Sequence, residues 1–249
     1  MGLVETDAIV LRSIKLGEAD KISTVLTSQE GVVRGVARGA RRLKSRFGAS
    51  LEPFTLIRLT FFEKEARELV SFTRAEITQS YFELTRDDSV FVALEYMAGL
   101  ILEFAPLRAP DERFYRMLKA CLGTLATTPG EVARVSRYCE VWTLKLAGFL
   151  PDPSTCGTCL KPLGGGAQEG AALNSGSNFE CHLCAGARGI TISPEALSLL
   201  NSALETPPWG WSRDAAGKGF RSAQEVGKLL RLLIARALER EPRLRPRNN

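Results

Sequence analysis

The chain has 249 residues, 45% of them apolar, and a net charge of +5, enough for one large domain or two to three small ones. A single histidine excludes most histidine-based acid–base schemes, and the best apolar run, residues 90–104, is broken by Glu95 and Glu103, which excludes a transmembrane helix there. Glu5 and Asp7 stand where a secretory signal needs cations, and although MGLVET fits the N-myristoylation pattern, chance accounts for that match; the expected location is the cytoplasm, with reduced thiols.

Residues 3–77 read as β. Apolar and β-branched segments recur at 4–12, 22–27, 31–37, 54–62 and 68–77, separated by Leu16-Gly17-Glu18, Gln29-Glu30-Gly31 and a basic stretch. Five short strands in so short a segment predict a small sandwich or barrel, and a five-stranded OB-fold barrel over 1–80 is the economical solution. Between the third and fourth strands lies RGARRLKSRFG, Arg38 to Gly48. Arg34, Arg38, Arg41, Arg42, Lys44 and Arg46 fall between Gly31 and Leu51 without one carboxylate. Those six alone exceed the net charge of +5, so the rest of the chain is close to neutral and the basicity is local. A concentrated patch predicts a polyanionic partner. Phe47, Phe54, Phe61 and Phe62 lie nearby; exposed they would stack on bases, buried they are core, and the sequence leaves that choice open.

From residue 87 the period becomes helical. Val90, Leu94, Met97, Ile101 and Phe104 share a face that ends before Pro106; Phe114, Leu118, Cys121 and Leu125 form a second stripe; Val132, Val135, Cys139, Trp142 and Leu146 form a third. Ser193-Pro194-Glu195 has the form of an N-cap with proline at the first helical position. Ser222 and Glu225 have capping-box spacing ahead of Val226, Leu229, Leu233 and Ala237. The stripes are core contacts of a helical domain in two parts, 81–150 and 190–240, with a frayed tail at 241–249. The expected fold is an α+β multidomain chain: an OB-fold barrel, then a helical domain with an inserted four-cysteine zinc module at 151–189.

That module rests on Cys156-Gly-Thr-Cys159 and Cys181-His-Leu-Cys184. Each pair forms a tight turn that aims two thiolates at one ion, and two such turns close a tetrahedral site of four sulfurs around one zinc ion, Zn2+. Four thiolates leave no open position, so the metal is structural. It would also order a Gly-rich segment with little apolar content. His182 is the alternative ligand. Disulfides do not suit a reducing compartment, and neither pair is followed by the histidine of c-type haem attachment. Cys121 and Cys139 read as core. No P-loop occurs: Gly164-Gly165-Gly166 and Gly217-Lys218-Gly219 lack its pattern. No catalytic constellation is visible, which predicts a binding protein and not an enzyme.

The run AIVLRSIKLGEADKISTVLTSQEGVVRGVARGARRLKSRFGASLEPFTLIRLTFF resembles the N-terminal region of the RecO family of bacterial recombination mediators. Leu11-Arg12, Leu16 to Asp20, Gly31 to Gly39, Ala40-Arg41-Arg42, Lys44 to Gly48 and Leu51 to Phe54 carry the likeness, and the four-cysteine insertion and flanking helices agree with it. The resemblance implies a protein that binds single- and double-stranded DNA and anneals complementary strands. With RecR it would help load RecA onto strands coated by single-stranded-DNA-binding protein (SSB). It further implies that SSB's acidic, apolar-ended tail is held in a groove of the helical domain, with Arg231, Arg236 and Arg240 as candidate rim cations. Two readings from other classes remain: a zinc-ribbon transcription or translation factor, and an adaptor whose basic loop binds an acidic protein.

Overall fold

The computed structural model describes residues 2–63, 69–163, 170–186, 188–211 and 219–239, so Arg240 and the tail at 241–249 lie outside the described residues. The chain divides into two compact units, 1–133 and 134–249. The first begins with the five expected strands: β1 (Gly2–Leu16), β2 (Asp20–Thr27), β3 (Val32–Ala37), β4 (Thr55–Glu63) and β5 (Val70–Ser80). They close in the order β1-β2-β3-β5-β4, all neighbours antiparallel except β3 and β5, which run parallel at Gly35–Val70 and Val36–Ser71. This is the OB-like arrangement.

β1 is longer than its apolar run because it serves two neighbours. Gly2–Ile9 pairs with β4, Ala8–Leu16 pairs with β2, and a register shift between Val10 and Arg12 bends the strand from one to the other. Its Ala8-Ile9-Val10-Leu11 run shows no polar alternation because both faces are covered. Ala8 and Val10 join Val25, Val33, Ile57, Leu59, Phe61 and Phe72 in the interior cluster. Ile9, Leu11 and Leu26 are also fully buried, outside that cluster. Helix α1 (Asp88–Phe104) opens on Asp87, whose carboxylate accepts from Ser89 N and Val90 N. Helix α2 (Glu112–Thr127) packs on β1 and β2. The connector between them lies along β3: Val32 N donates to Pro106 O (3.0 Å) and Arg108 N to Val32 O (3.2 Å). Arg108 pairs with Glu63 and lies over the Phe61 ring.

Gly35 admits no side chain. A Cβ there would stand 2.2 Å from the Phe72 ring, in a packed interior. Gly35→Ala is expected to destabilise the barrel by about 1–3 kcal/mol, the usual cost of overpacking a core. Denaturant unfolding checks this, and Phe72→Leu in the same background should recover part of the loss.

The second unit holds all but the first two residues of α3 (Val132–Leu146), strands β6 (Ala171–Leu173), β7 (Phe179–Cys181) and β8 (Ile190–Ile192), and helices α4 (His182–Ala185), α5 (Pro194–Glu205) and α6 (Gly219–Leu238). Cys121 of the first unit and Cys139 of the second are fully buried, as their stripes predicted. Ser193 caps α5, its hydroxyl accepting from Ala196 N. The predicted Ser222–Glu225 capping box is not formed. α6 starts earlier, at Gly219, and the Glu225 carboxylate reaches across to accept from Ser193 N and Ser193 Oγ, both at 2.7 Å. A tertiary partner has taken the side chain that local spacing assigned to its own helix. Buried Trp211 donates its Nε1–H to Leu199 O (3.2 Å) and packs against Tyr138.

Candidate nucleic-acid interface and metal centre

Residues 38–54 leave β3 as a series of turns. Arg42 N donates to Gly39 O (3.1 Å), Ser45 N to Arg42 O (3.0 Å) and Ser50 N to Phe47 O (2.9 Å). Several bonds tie the segment to the β1–β2 hairpin. Arg41 N donates to Ala19 O (2.9 Å), and Gly39, at φ +72°, donates to Asp20 Oδ1 (2.8 Å). Further along, Ser13 Oγ donates to Leu51 O (2.6 Å) and Lys21 pairs with Glu52 (2.9 Å).

The underside of this segment is core. Ala40, Phe47 and Leu51 belong to the interior cluster of the barrel, and Phe54 is fully buried. The segment is therefore held against the barrel and is not a free loop. Apolar residues at 40, 47, 51 and 54 are withdrawn from water against the strands, and that burial pins the chain between them. The aromatic question is answered by the same burial. Phe47, Phe54 and Phe61 are buried and Phe62 is half-buried, so the first three are packing residues and offer no face to a base.

The upper side carries the charge. Arg34, Arg38, Arg41, Arg42, Lys44 and Arg46 are all exposed. Two of them also work within the fold. Arg41 Nη1 donates to the carbonyls of Gly17 (2.9 Å) and Glu18 (3.0 Å), bracing the segment against the β1–β2 turn. The Arg46 guanidinium sits 5.1 Å over the centre of the Phe47 ring.

The same unit holds a cavity of about 310 Å3, which sequence reasoning missed. Arg12 and Ile14 of β1, Ile22 and Thr24 of β2, and Val32 and Arg34 of β3 line it, with Leu102 and Leu107. Its chemistry is two guanidinium groups beside aliphatic walls. The cations expected to rim a groove on the second unit stand differently. Arg236 Nη1 donates to Asn174 O (3.2 Å) and Ser177 Oγ (3.0 Å), Arg231 is exposed, and Arg240 lies outside the described residues.

In the second unit the four predicted cysteines come together. The Sγ atoms of Cys156, Cys159, Cys181 and Cys184 lie within 4.8 Å of one another. The first pair sits in a tight turn, with Leu160 N donating to Cys156 O (3.0 Å) and Cys156 N to Lys161 O (2.9 Å). The second spans the end of β7 and the single turn α4. Cys159 Sγ and Cys181 Sγ are 3.8 Å apart. A tetrahedron of ~2.3 Å zinc–sulfur bonds has edges of ~3.8 Å, so the set fits such an ion. His182 is exposed and is not in the group. Burial pushes the Cys156 thiol up, but the backbone N–H groups of Cys159, Cys181 and Thr158 outweigh it and bring it down to about 6. Hydrogen bonds that the Cys184 thiol donates to Cys181 and Cys159, with burial, push it up to about 12. One thiolate thus suppresses the next, and only a cation at the centre lets the set ionise together. The surrounding module has more core than its composition promised: Leu173, Phe179, Ala185 and Ile192 are buried, and β8 extends its sheet past residue 189 in the order β7-β6-β8.

The family model for the N terminus of recombination protein O matches residues 1–81, and the model for its C terminus matches residues 90–246. The chain belongs to the RecO family. The first RecO model covers the barrel with its basic segment, and the second covers all four cysteines. The chain is similar to the DNA repair protein RecO of Geobacter metallireducens, 32% identical over 241 residues that make up 96% of this chain and 94% of that protein. RecO of Streptomyces coelicolor is 36% identical over 87% of each chain. RecO of Koribacter versatilis is 36% identical over 157 residues, 63% of this chain and 64% of that protein's length. Among the described residues, no helix of this RecO-family chain is long and apolar enough to cross a membrane.

Proposed function

We propose that this RecO-family chain acts without catalysing bond formation. In this reading it binds single- and double-stranded DNA through the basic face of residues 34–46, anneals complementary strands, and with RecR assists the loading of RecA onto SSB-coated strands in the cytoplasm, at the nucleoid. One observation carries the reading: a charged face held on a pinned segment, its apolar side buried and its cations in solvent. Two DNA strands repel each other. A surface that neutralises phosphates on both lowers that repulsion and leaves pairing to base stacking. Such contacts release counterions and weaken with salt, so the duplex can leave. Phosphates carry no base identity, so sequence preference is weak.

The four cysteines hold one structural zinc that orders the 151–192 region. Between residues 151 and 189 the cations are Lys161 and Arg188, too few for this module to be the main nucleic-acid surface. For the acidic, apolar-ended tail of SSB, the Arg12–Arg34 cavity supplies the matching chemistry: guanidinium groups for carboxylates and Ile14, Ile22, Leu102 and Leu107 for an apolar end.

The test is annealing of complementary strands coated with SSB. The protein is expected to accelerate annealing at low salt, and SSB lacking its tail should abolish most of that gain. Annealing no faster with the protein than without it, at any salt, would refute the proposal.

A further inference from the structure

We infer that Leu43 is an apolar wedge that enters a base step of bound DNA. The inference rests on the proposed DNA surface and adds to it a contact with bases, where the cations contact only phosphates.

Exposure alone would mean little, since single apolar residues are common on protein surfaces. What distinguishes Leu43 is its setting. The segment 38–54 buries its other large apolar side chains: Phe47, Leu51 and Phe54 are all in the core. Leu43 is left with a relative exposure of 102%, complete projection into solvent. The bond from Ser45 N to Arg42 O makes Leu43 and Lys44 the central pair of a turn, so Leu43 stands at an apex. Arg41, Arg42, Lys44 and Arg46 flank it, all exposed.

The support beneath the apex is firm. Arg41 is tied at both its backbone N–H and its guanidinium to the β1–β2 turn, and the preceding Gly39 N–H is held by Asp20. Separating stacked bases costs a few kcal/mol per step, and a wedge that moved freely would add its own ordering cost. Here the tip is already ordered by the barrel. Cations on either side draw phosphates to the turn, and the side chain between them is the size of the aliphatic wedges that part base steps. A single strand, a mismatch or a flexible pyrimidine–purine step yields most easily, so Leu43 favours unpaired DNA over intact duplex. In annealing, a base held out of its stack is available to a second strand.

The test uses the full chain and oligonucleotides carrying 2-aminopurine, whose fluorescence rises when it unstacks. Wild-type protein is expected to raise the signal on binding. Leu43→Ala should remove the rise and weaken single-strand affinity about tenfold, the size of one apolar base contact, while the salt slope stays at its wild-type value. Leu43→Phe should restore the rise. Thermal unfolding should not change, because the side chain touches no core. A full fluorescence rise with Leu43→Ala would overturn the inference. So would lost affinity with no wild-type rise to lose, or loss of binding to a protein partner with both DNA readouts intact. The salt slope is a separate reading: if substituting the cations leaves it unmoved, the DNA surface itself is misplaced and Leu43 falls with it.

Discussion

Arg38, Arg42 and Lys44, changed together to alanine, are expected to flatten the dependence of single-strand affinity on salt by ~2 in log–log slope, from ~0.7 for each lost phosphate contact. Six contacts in the intact surface imply a starting slope of ~ −4 on the same scale. Between 50 and 200 mM salt the three lost contacts alone correspond to a change of ~20-fold in affinity. The loss should be alike for unrelated sequences, and annealing should fall with it. Arg41 is left in place because it braces the segment on Gly17 and Glu18. The fold should persist, since the core residues of the segment, Ala40, Phe47 and Leu51, are untouched. Equilibrium titrations at several salt concentrations decide the matter. Wild-type affinity and slope in the triple variant would place the DNA elsewhere.

The second large effect concerns metal. One zinc per chain is expected, and Cys159→Ser should reduce it to a small fraction. A structural site of four thiolates contributes ~10–16 kcal/mol of binding free energy near neutral pH, and most of it goes into ordering the chain around it. Loss should therefore appear as rapid amide exchange across 155–162 and 171–192, with exchange in the barrel unchanged. The site needs deprotonated sulfur, so protons compete with the metal and affinity falls as pH falls. Cys156, already brought down to about 6, releases its proton readily, whereas Cys184, pushed to about 12 in the metal-free set, must give up its proton on loading. Protein purified without chelator that contains no zinc, or that exchanges identically with and without it, would overturn this assignment.

The strands and helices were legible wherever burial repeats at short range. Ala8 to Leu11 and the Val90–Ile101 stripe announce their elements directly. So do the cysteine pairs, because their chemistry depends on spacing of two residues. What escaped depends on partners far along the chain. Glu225 looked local and bonds Ser193 instead. Phe47 sits inside a run of arginines, where nothing local shows that it turns inward while its neighbours turn out. The Arg12–Arg34 cavity is assembled from three strands and two residues beyond α1's middle, none adjacent in sequence. Ser13 and Lys15, polar positions in the second half of β1, concealed a strand that runs on to Leu16.

That long first strand also has a history within translation. Its second half can meet β2 soon after the hairpin is made, but Gly2–Ile9 must wait for Leu56–Glu63. At ~5–20 residues per second, residue 63 follows residue 9 by roughly 3–10 s. For that interval Gly2–Asp7 has no partner strand and carries Leu3 and Val4, open to any other nascent strand. β5, which joins β4 to β3, emerges later still, so the barrel cannot close before it is made. A ribosome stalled before β4 would present the cell with a sticky half-barrel whose basic segment still lacks the strands that bury its apolar side.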